Sequence, residues 1–213
     1  MTPSTALDRD DASTDRPRRS RPPAAWVVLD PVQAGLDGEV DWSSWYLTDE
    51  DDLGEGTEQF LIAQAVYSTL LVLARERGWT AFVGRDQVFA WVEDEPLVRV
   101  SPDAYVLAGA APSPLPAMWE TWRPGHAPPR VAVEVVWEDT WREDYQDNPP
   151  KYAQLGAEEL VIFDPGATPA RPAAERVPLQ VFRRTSEGAF LRVHAGATPA
   201  RSEALSEDAG ALW

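Results

Sequence analysis

Cysteine is absent from all 213 residues, which excludes a disulfide scaffold, an iron–sulfur cluster, a thiolate-held zinc ion and a thiol nucleophile together. The two histidines, His126 and His194, leave little for a histidine-based metal site. Positive charge is scarce, with 19 Lys and Arg against 35 Asp and Glu, a formal charge of -16. Such a chain repels a polyanion at long range unless it gathers cations locally. No basic stripe is visible; Arg16, Arg18, Arg19 and Arg21 near the N-terminus, and Arg183, Arg184 and Arg192 near the other end, are the only groupings. Long apolar runs are missing too. The most apolar stretch, Phe60 to Ala74, is interrupted by Gln64, Ser68 and Thr69 and falls short of the roughly 20 residues a bilayer requires, so no membrane span is expected. The first residues have neither the apolar core of a secretory signal nor the acid-poor composition of a transit peptide, which makes a cytoplasmic location the expectation.

What is present belongs to a globular protein. Hydrophobic residues make up 44% and aromatics 10%, and a chain of this length buries on the order of 70% of its extended surface on folding. Residues 1–24 are rich in Asp, Ser, Thr, Pro and Arg and poor in large apolar side chains, so a disordered arm is expected there. One folded domain over 25–195 and a tail over 196–213 complete the expected organisation. A short strand is expected at Trp26–Leu29. A long helix follows from Thr57, with Phe60, Leu61, Ala65, Val66, Leu70, Leu71 and Ala74 as its apolar surface and Arg77-Gly78 as its end. Thr80–Val83, Gln87–Val92 and Leu97–Leu107 read as a β-meander. Gly109–Pro129 carries six prolines and reads as an irregular excursion. Val131–Val136 is a buried strand. Asp147 or Asn148 caps a helix whose first turn holds Pro149 and Pro150, and Leu155-Gly156 ends it. Leu160–Phe163 is a second buried strand, and Leu179–Arg183 with Ala189–Val193 forms a hairpin. The hexapeptide Gly-Ala-Thr-Pro-Ala-Arg at 166–171 and 196–201 reads as compositional bias. The order predicts an α/β fold with a mixed sheet flanked by helices.

Two carboxylates sit where carboxylates are costly. Glu134 interrupts Val-Ala-Val-Glu-Val-Val and, at a period of two, shares a face with Ala132 and Val136. Burying it unpaired would cost several kcal/mol, so a metal ion or an arginine must answer it. Asp103 lies in Val-Ser-Pro-Asp-Ala-Tyr-Val, also strand-like, where aspartate is disfavoured. The two could share a cation or pair separately with arginines. The third anomaly is lysine: eighteen arginines accompany the single Lys151, on the short helix after the Glu134 strand. A lone lysine there suggests a compact ammonium near a reacting water or phosphate, a task arginine performs badly, unless it is a chance survivor. Strand Asp, strand Glu and a lysine beyond are the parts of a Mg2+-dependent phosphodiesterase.

Five strings in order, Ser-Pro-Asp-Ala-Tyr-Val-Leu (101–107), Val-Glu-Val-Val (133–136), Thr-Trp-Arg-Glu-Asp-Tyr (140–145), Pro-Lys-Tyr-Ala-Gln-Leu-Gly (150–156) and Glu-Leu-Val-Ile-Phe-Asp-Pro (159–165), carry a resemblance. The chain resembles the Uma endonuclease family, bacterial restriction-endonuclease-like proteins of the PD-(D/E)XK superfamily, over roughly residues 40–194. The resemblance implies a restriction-endonuclease-like mixed sheet in a single domain, cleaving phosphodiester bonds of nucleic acid, DNA above all, with Mg2+ or Mn2+, and possible as a homodimer. It makes Asp103 and Glu134 the metal ligands. The superfamily lysine, normally two residues after that glutamate, is replaced by Val136; its role passes to the next helix, which offers Lys151, although one common spacing falls on Asn148. Asp144 matches a supporting aspartate, and Glu55, with Glu58 as the alternative, matches a third acid. Trp137 stands for a family serine and Leu160-Val161 for an aromatic pair.

Two other readings stay open. Ten tryptophans could form an aromatic binding platform, Trp119, Trp122 and Trp141 being the ones expected in loops and exposed. A nuclease fold without catalysis, acting as a binding module, is the other.

Overall fold

The computed structural model describes residues 27–28, 42–47, 57–110, 112–137, 141–167 and 176–205. The expected arm over residues 1–24 and Glu55 lie outside them.

Among the described residues ten strands form two sheets, accompanied by three α-helices. In chain order they are β1 (Val27–Val28), α1 (Thr57–Arg77), β2 (Ala81–Gly84), β3 (Phe89–Ala90), β4 (Arg99–Val100), β5 (Ala104–Ala108), β6 (Trp119–Glu120), β7 (Val131–Val135), α2 (Trp141–Gln146), α3 (Asn148–Leu155), β8 (Glu159–Phe163), β9 (Leu179–Arg184) and β10 (Phe190–Gly196). A 3-10 turn, Trp42–Trp45, precedes α1. The main sheet runs β1-β10-β9-β8-β7-β5-β2, and β4-β3-β6 form the small one. In the main sheet β7 and β8 are parallel and every other described pair is antiparallel. A parallel pair needs a long crossover, and α2 with α3 supplies it. The mixed α/β sheet flanked by helices is therefore as the sequence predicts.

The sheet separates two apolar layers. Ala132 and Val136 of the β7 region join Tyr105, Leu107, Tyr152, Leu155, Leu160, Ile162 and Phe182 on the α3 side. Val131 and Val133 join Val83, Ala104, Val106 and Leu70 on the α1 side. The period-two alternation expected of Val131–Val136 thus holds, and it carries Glu134 to the α3 side. α3 is as expected, with Pro149 and Pro150 in its first turn and Gly156 at φ 98° as its left-handed end. Gly78, at φ 65°, ends α1 in the same way.

Several expectations are corrected. Residues 80–107 do not form a meander: β2 pairs with β5, while β3 and β4 leave to build the small sheet with β6. The expected Leu97–Leu107 strand breaks at Ser101-Pro102-Asp103, because proline cannot donate to a ladder. Trp119 is not an exposed loop residue. It is 1% exposed in β6, stacked on Phe89 at 5.9 Å, and its indole N–H donates to the Tyr105 hydroxyl at 3.0 Å. Trp122 and Trp141 are half-buried, so no aromatic platform stands on Trp119. Residues 201–205, expected as tail, pack on the fold: Ala204 is buried, the Ser202 hydroxyl donates to Glu159, and the Glu203 amide donates to Glu159 Oε1 at 2.9 Å. The long helix itself runs from Thr57 to Arg77 as expected, but against the expectation of no membrane span it is, by length and composition alone, long and apolar enough to cross a membrane.

Gly84 is the tightest point of the sheet. A Cβ there would lie 2.2 Å from the Tyr105 ring, opposite which Gly84 pairs in the ladder. That ring cannot retreat, since it is buried, packs edge-on against Phe89 at 4.9 Å and bonds Gln87 and Trp119. Gly84→Ala is expected to destabilise the fold by about 1–3 kcal/mol, the usual cost of overpacking, as measured by urea unfolding; a loss below a few tenths would show that Tyr105 can yield.

Candidate active site

The site is made where β5 begins and β7 ends. The β5–β7 register pairs Ala104 with Val133, so one further step sets Asp103 opposite Glu134 on the α3 side of the sheet. Asp103 is tethered by its Oδ2, which accepts the Val135 amide at 2.6 Å. On the other side of the strand, the Gln59 side-chain amide of α1 donates to the Val135 carbonyl at 3.2 Å.

Glu134 is 7% exposed. Its Oε1 accepts the Tyr152 hydroxyl at 2.6 Å and the Asn148 side-chain amide at 3.4 Å, and Asn148 also donates to Asp144 Oδ1 at 3.0 Å. Asp144, Asn148 and Tyr152 follow one another at intervals of four across α2 and α3, which lays them along one flank above the end of β7. Burial raises the Glu134 carboxyl well above its ordinary range, and the negative charges of Asp103 and then Asp144 raise it further, against the lowering hydrogen bond from Tyr152. Among the described residues no cation answers it. Tyr152 is pushed up as well, first by its own burial and then by Glu134.

The structure therefore brings together Asp103, Glu134 and Asp144, and pairs Lys151 with Glu143. Lys151 lies in α3 at 3% exposure with its Nζ 3.4 Å from Glu143 Oε1. The side chain one helical turn earlier, Asn148, is the one that reaches Glu134, so the spacing that falls on Asn148 describes the geometry better than the one on Lys151. Glu58 is exposed at the start of α1. Tyr152, Glu143 and Gln59 escaped the sequence reading. For Tyr152 the spacing of four from Asn148 was the available signal; Gln59 had none, since only the docking of α1 on the sheet brings it to Val135.

The hard oxygen donors suit a divalent ion of the Mg2+ class. Among the described residues there is no group of three or more Asp, Glu or His side chains placed to hold a metal. Mg2+ however is commonly bound through one or two carboxylates with water completing its shell, and two carboxylates opposite each other at adjacent strand ends fit that pattern. Asp103 and Glu134 would hold the ion.

Of the arginines suggested as a basic footprint, Arg16, Arg18, Arg19 and Arg21 lie outside the described residues, and those of the last hairpin are spent inside the fold. Arg183 pairs with Glu159 at 2.9 Å and Glu203 at 2.8 Å, Arg192 donates to Gln180 at 3.0 Å, and Arg184 donates to the Ala153 carbonyl. Arg142, exposed on α2 next to the site, lies 4.6 Å over the Trp141 ring.

A mixed sheet carrying opposed carboxylates at adjacent strand ends defines a protein built around an acidic, cation-seeking site. The chain belongs to the Uma2 family, described as putative restriction endonuclease, whose model matches residues 54–209. Among solved structures it is similar to a putative nuclease belonging to DUF820 from Anabaena variabilis ATCC 29413, with a TM-score of 0.49 and 12% identity over 72% of this chain and 76% of that one. No curated protein matches it.

With its carboxyl raised by burial, Glu134 is expected to lower stability at neutral pH. A carboxyl whose folded pKa is raised contributes stability below its unfolded pKa and loses it as pH rises through the folded value. Glu134→Gln should accordingly raise the Tm at pH 7–8 by a few degrees, the shift that ~1 kcal/mol gives in a domain of this size. The gain should vanish near pH 4. Thermal melts of both proteins across pH in EDTA check this, and a variant less stable at neutral pH would show that Glu134 is compensated.

Proposed function

We propose that this protein is a divalent-metal-dependent endonuclease that hydrolyses phosphodiester bonds, with DNA as the substrate. The observation that carries the reading is Glu134, a buried carboxyl opposite Asp103 and near Asp144, with no cation beside it among the described residues. Proteins keep such a costly arrangement where function requires it. Membership of a restriction endonuclease family supports the same reading.

A divalent ion held by Asp103 and Glu134 would supply charge stabilisation at the phosphoryl oxygens and acidify a water. The chain's own residues prepare that place. The Val135 amide fixes Asp103, and Tyr152 and Asn148 fix the rotamer of Glu134, so both carboxylates are oriented before anything binds. Asn148 also orders Asp144. Lys151, beside Glu143, is the ammonium closest in the chain to this cluster and would act on the phosphate or the attacking water after leaving Glu143.

A second reading keeps the fold and removes catalysis. It is favoured by Asn148, a neutral amide at the position that reaches Glu134, and by the engagement of Lys151 with Glu143.

Plasmid nicking at low salt with Mn2+ or Mg2+ decides between them. Wild type is expected to relax and linearise DNA, Glu134→Ala and Asp103→Asn to retain roughly a hundredth or less of that activity, and Lys151→Ala to lose about tenfold or more. Folded wild-type protein that binds Mn2+ without cutting would establish the binding module instead. Equal cutting by all four would sink the site assignment.

A further inference from the structure

α1 presents an outward stripe with an internal symmetry. Ala63 and Leu70 are buried and Val66, Tyr67 and Ala74 are packed against the sheet layer. The opposite side consists of Glu58, Leu61, Ala65, Ser68, Val72 and Arg75, all exposed. Their spacing is three, four, three, four, three, which holds one face of a helix in register along its length. Every residue from Gln59 to Ala74 is uncharged, in a chain of which 25% is charged. Leu61 and Val72 stand 61% and 53% exposed, flanked by Phe60 at 44% and Leu71 at 41%. An open groove of about 480 Å³ runs along the stripe, lined by Leu61 and Ala65 from it and by Ile62, Val66 and Phe163. The stripe is also palindromic in kind: acid, large apolar, small, small, large apolar, base. Turned end over end about its midpoint it meets itself with Glu58 against Arg75, Leu61 against Val72 and Ala65 against Ser68.

We propose that α1 is a homodimerisation helix, packed antiparallel against α1 of a second copy of this chain about a two-fold axis between the levels of Val66 and Tyr67. A two-fold interface must be self-complementary, and this stripe is so in charge and in size. Burial of Leu61, Val72 and their flanks supplies the affinity. Ala65 and Ser68 let the helices approach at the crossing point. The two Glu58–Arg75 contacts select the antiparallel register, the usual contribution of rim charges. One helix face is smaller than the roughly 800 Å² per partner of a standard interface, so the dimer forms reversibly with concentration. The inference is independent of the nuclease reading.

Sedimentation equilibrium of the full chain in EDTA, at an ionic strength low enough to leave the Glu58–Arg75 contacts unscreened and the same for every variant, tests it; EDTA removes any metal role of Glu58. The weight-average mass of wild type should climb from the 23.6 kDa monomer toward twice that as concentration rises. Glu58→Arg and Arg75→Glu should each weaken association by roughly tenfold, because each breaks two symmetry-related contacts. The double reversal should restore it, and Leu61→Ser with Val72→Ser should abolish it while leaving the melting temperature unchanged. A wild type that stays monomeric, a dimer indifferent to the single reversals, or a double reversal that fails to restore it would overturn the proposal. So would a monomer that sediments with phosphatidylcholine vesicles and loses this on Leu61→Ser with Val72→Ser, which would make the face a membrane surface.

Discussion

Much of the structure can be understood as the support of one unfavourable contact, the carboxylate of Glu134 buried opposite Asp103. Like charges across a strand pair repel, and burial strengthens the repulsion by removing water. The surroundings hold this arrangement without cancelling it. Asp103 is tied to the backbone of the neighbouring strand, Glu134 is gripped by Tyr152 and Asn148, and Asp144 adds negative charge. Hydrogen bonds orient the groups, yet the charge itself is left for something else to answer.

The fold makes this possible through the crossover. β7 and β8 are parallel, so the chain must return along the sheet, and it does so as α2 and α3. The return lays α3 over the end of β7, buries Tyr152 completely and aims its hydroxyl at Glu134. α1 covers the other face and touches the same strand through Gln59 and the Val135 carbonyl. The strand end is thus clamped from both sides. Farther off, ion pairs of the more ordinary kind lock the periphery: Arg176 on the buried Asp164 at 2.7 Å, and Arg183 on the buried Glu159. The contrast is informative, since among the described residues the buried Asp164 and Glu159 each have an arginine and Glu134 does not.

The legibility of the chain follows the range of the interaction involved. The β7 alternation, the proline start and glycine end of α3 and the β9–β10 hairpin depend on neighbours in sequence and could be read there. The meander was misread because β2 finds its partner β5 some twenty residues later, past two strands that join another sheet. Trp119 was misplaced for the same reason: its strand pairs with β3 across about thirty residues of proline-rich chain, and no local periodicity signals that. Lys151 stood out by composition, but composition carries no direction, and the helix turns it toward Glu143.

The sequence by itself determined that acids interrupt two apolar runs, which strands would be buried, and that a single lysine follows them on the next helix, because residue type and short-range spacing suffice for these. Tertiary structure alone decided that Asp103 faces Glu134, that Asn148 and Tyr152 rather than Lys151 hold it, and that the arginines of the last hairpin are consumed internally. Each of those depends on which strands become neighbours and how a helix is rotated above them, quantities set by packing of the whole core and written in no single segment.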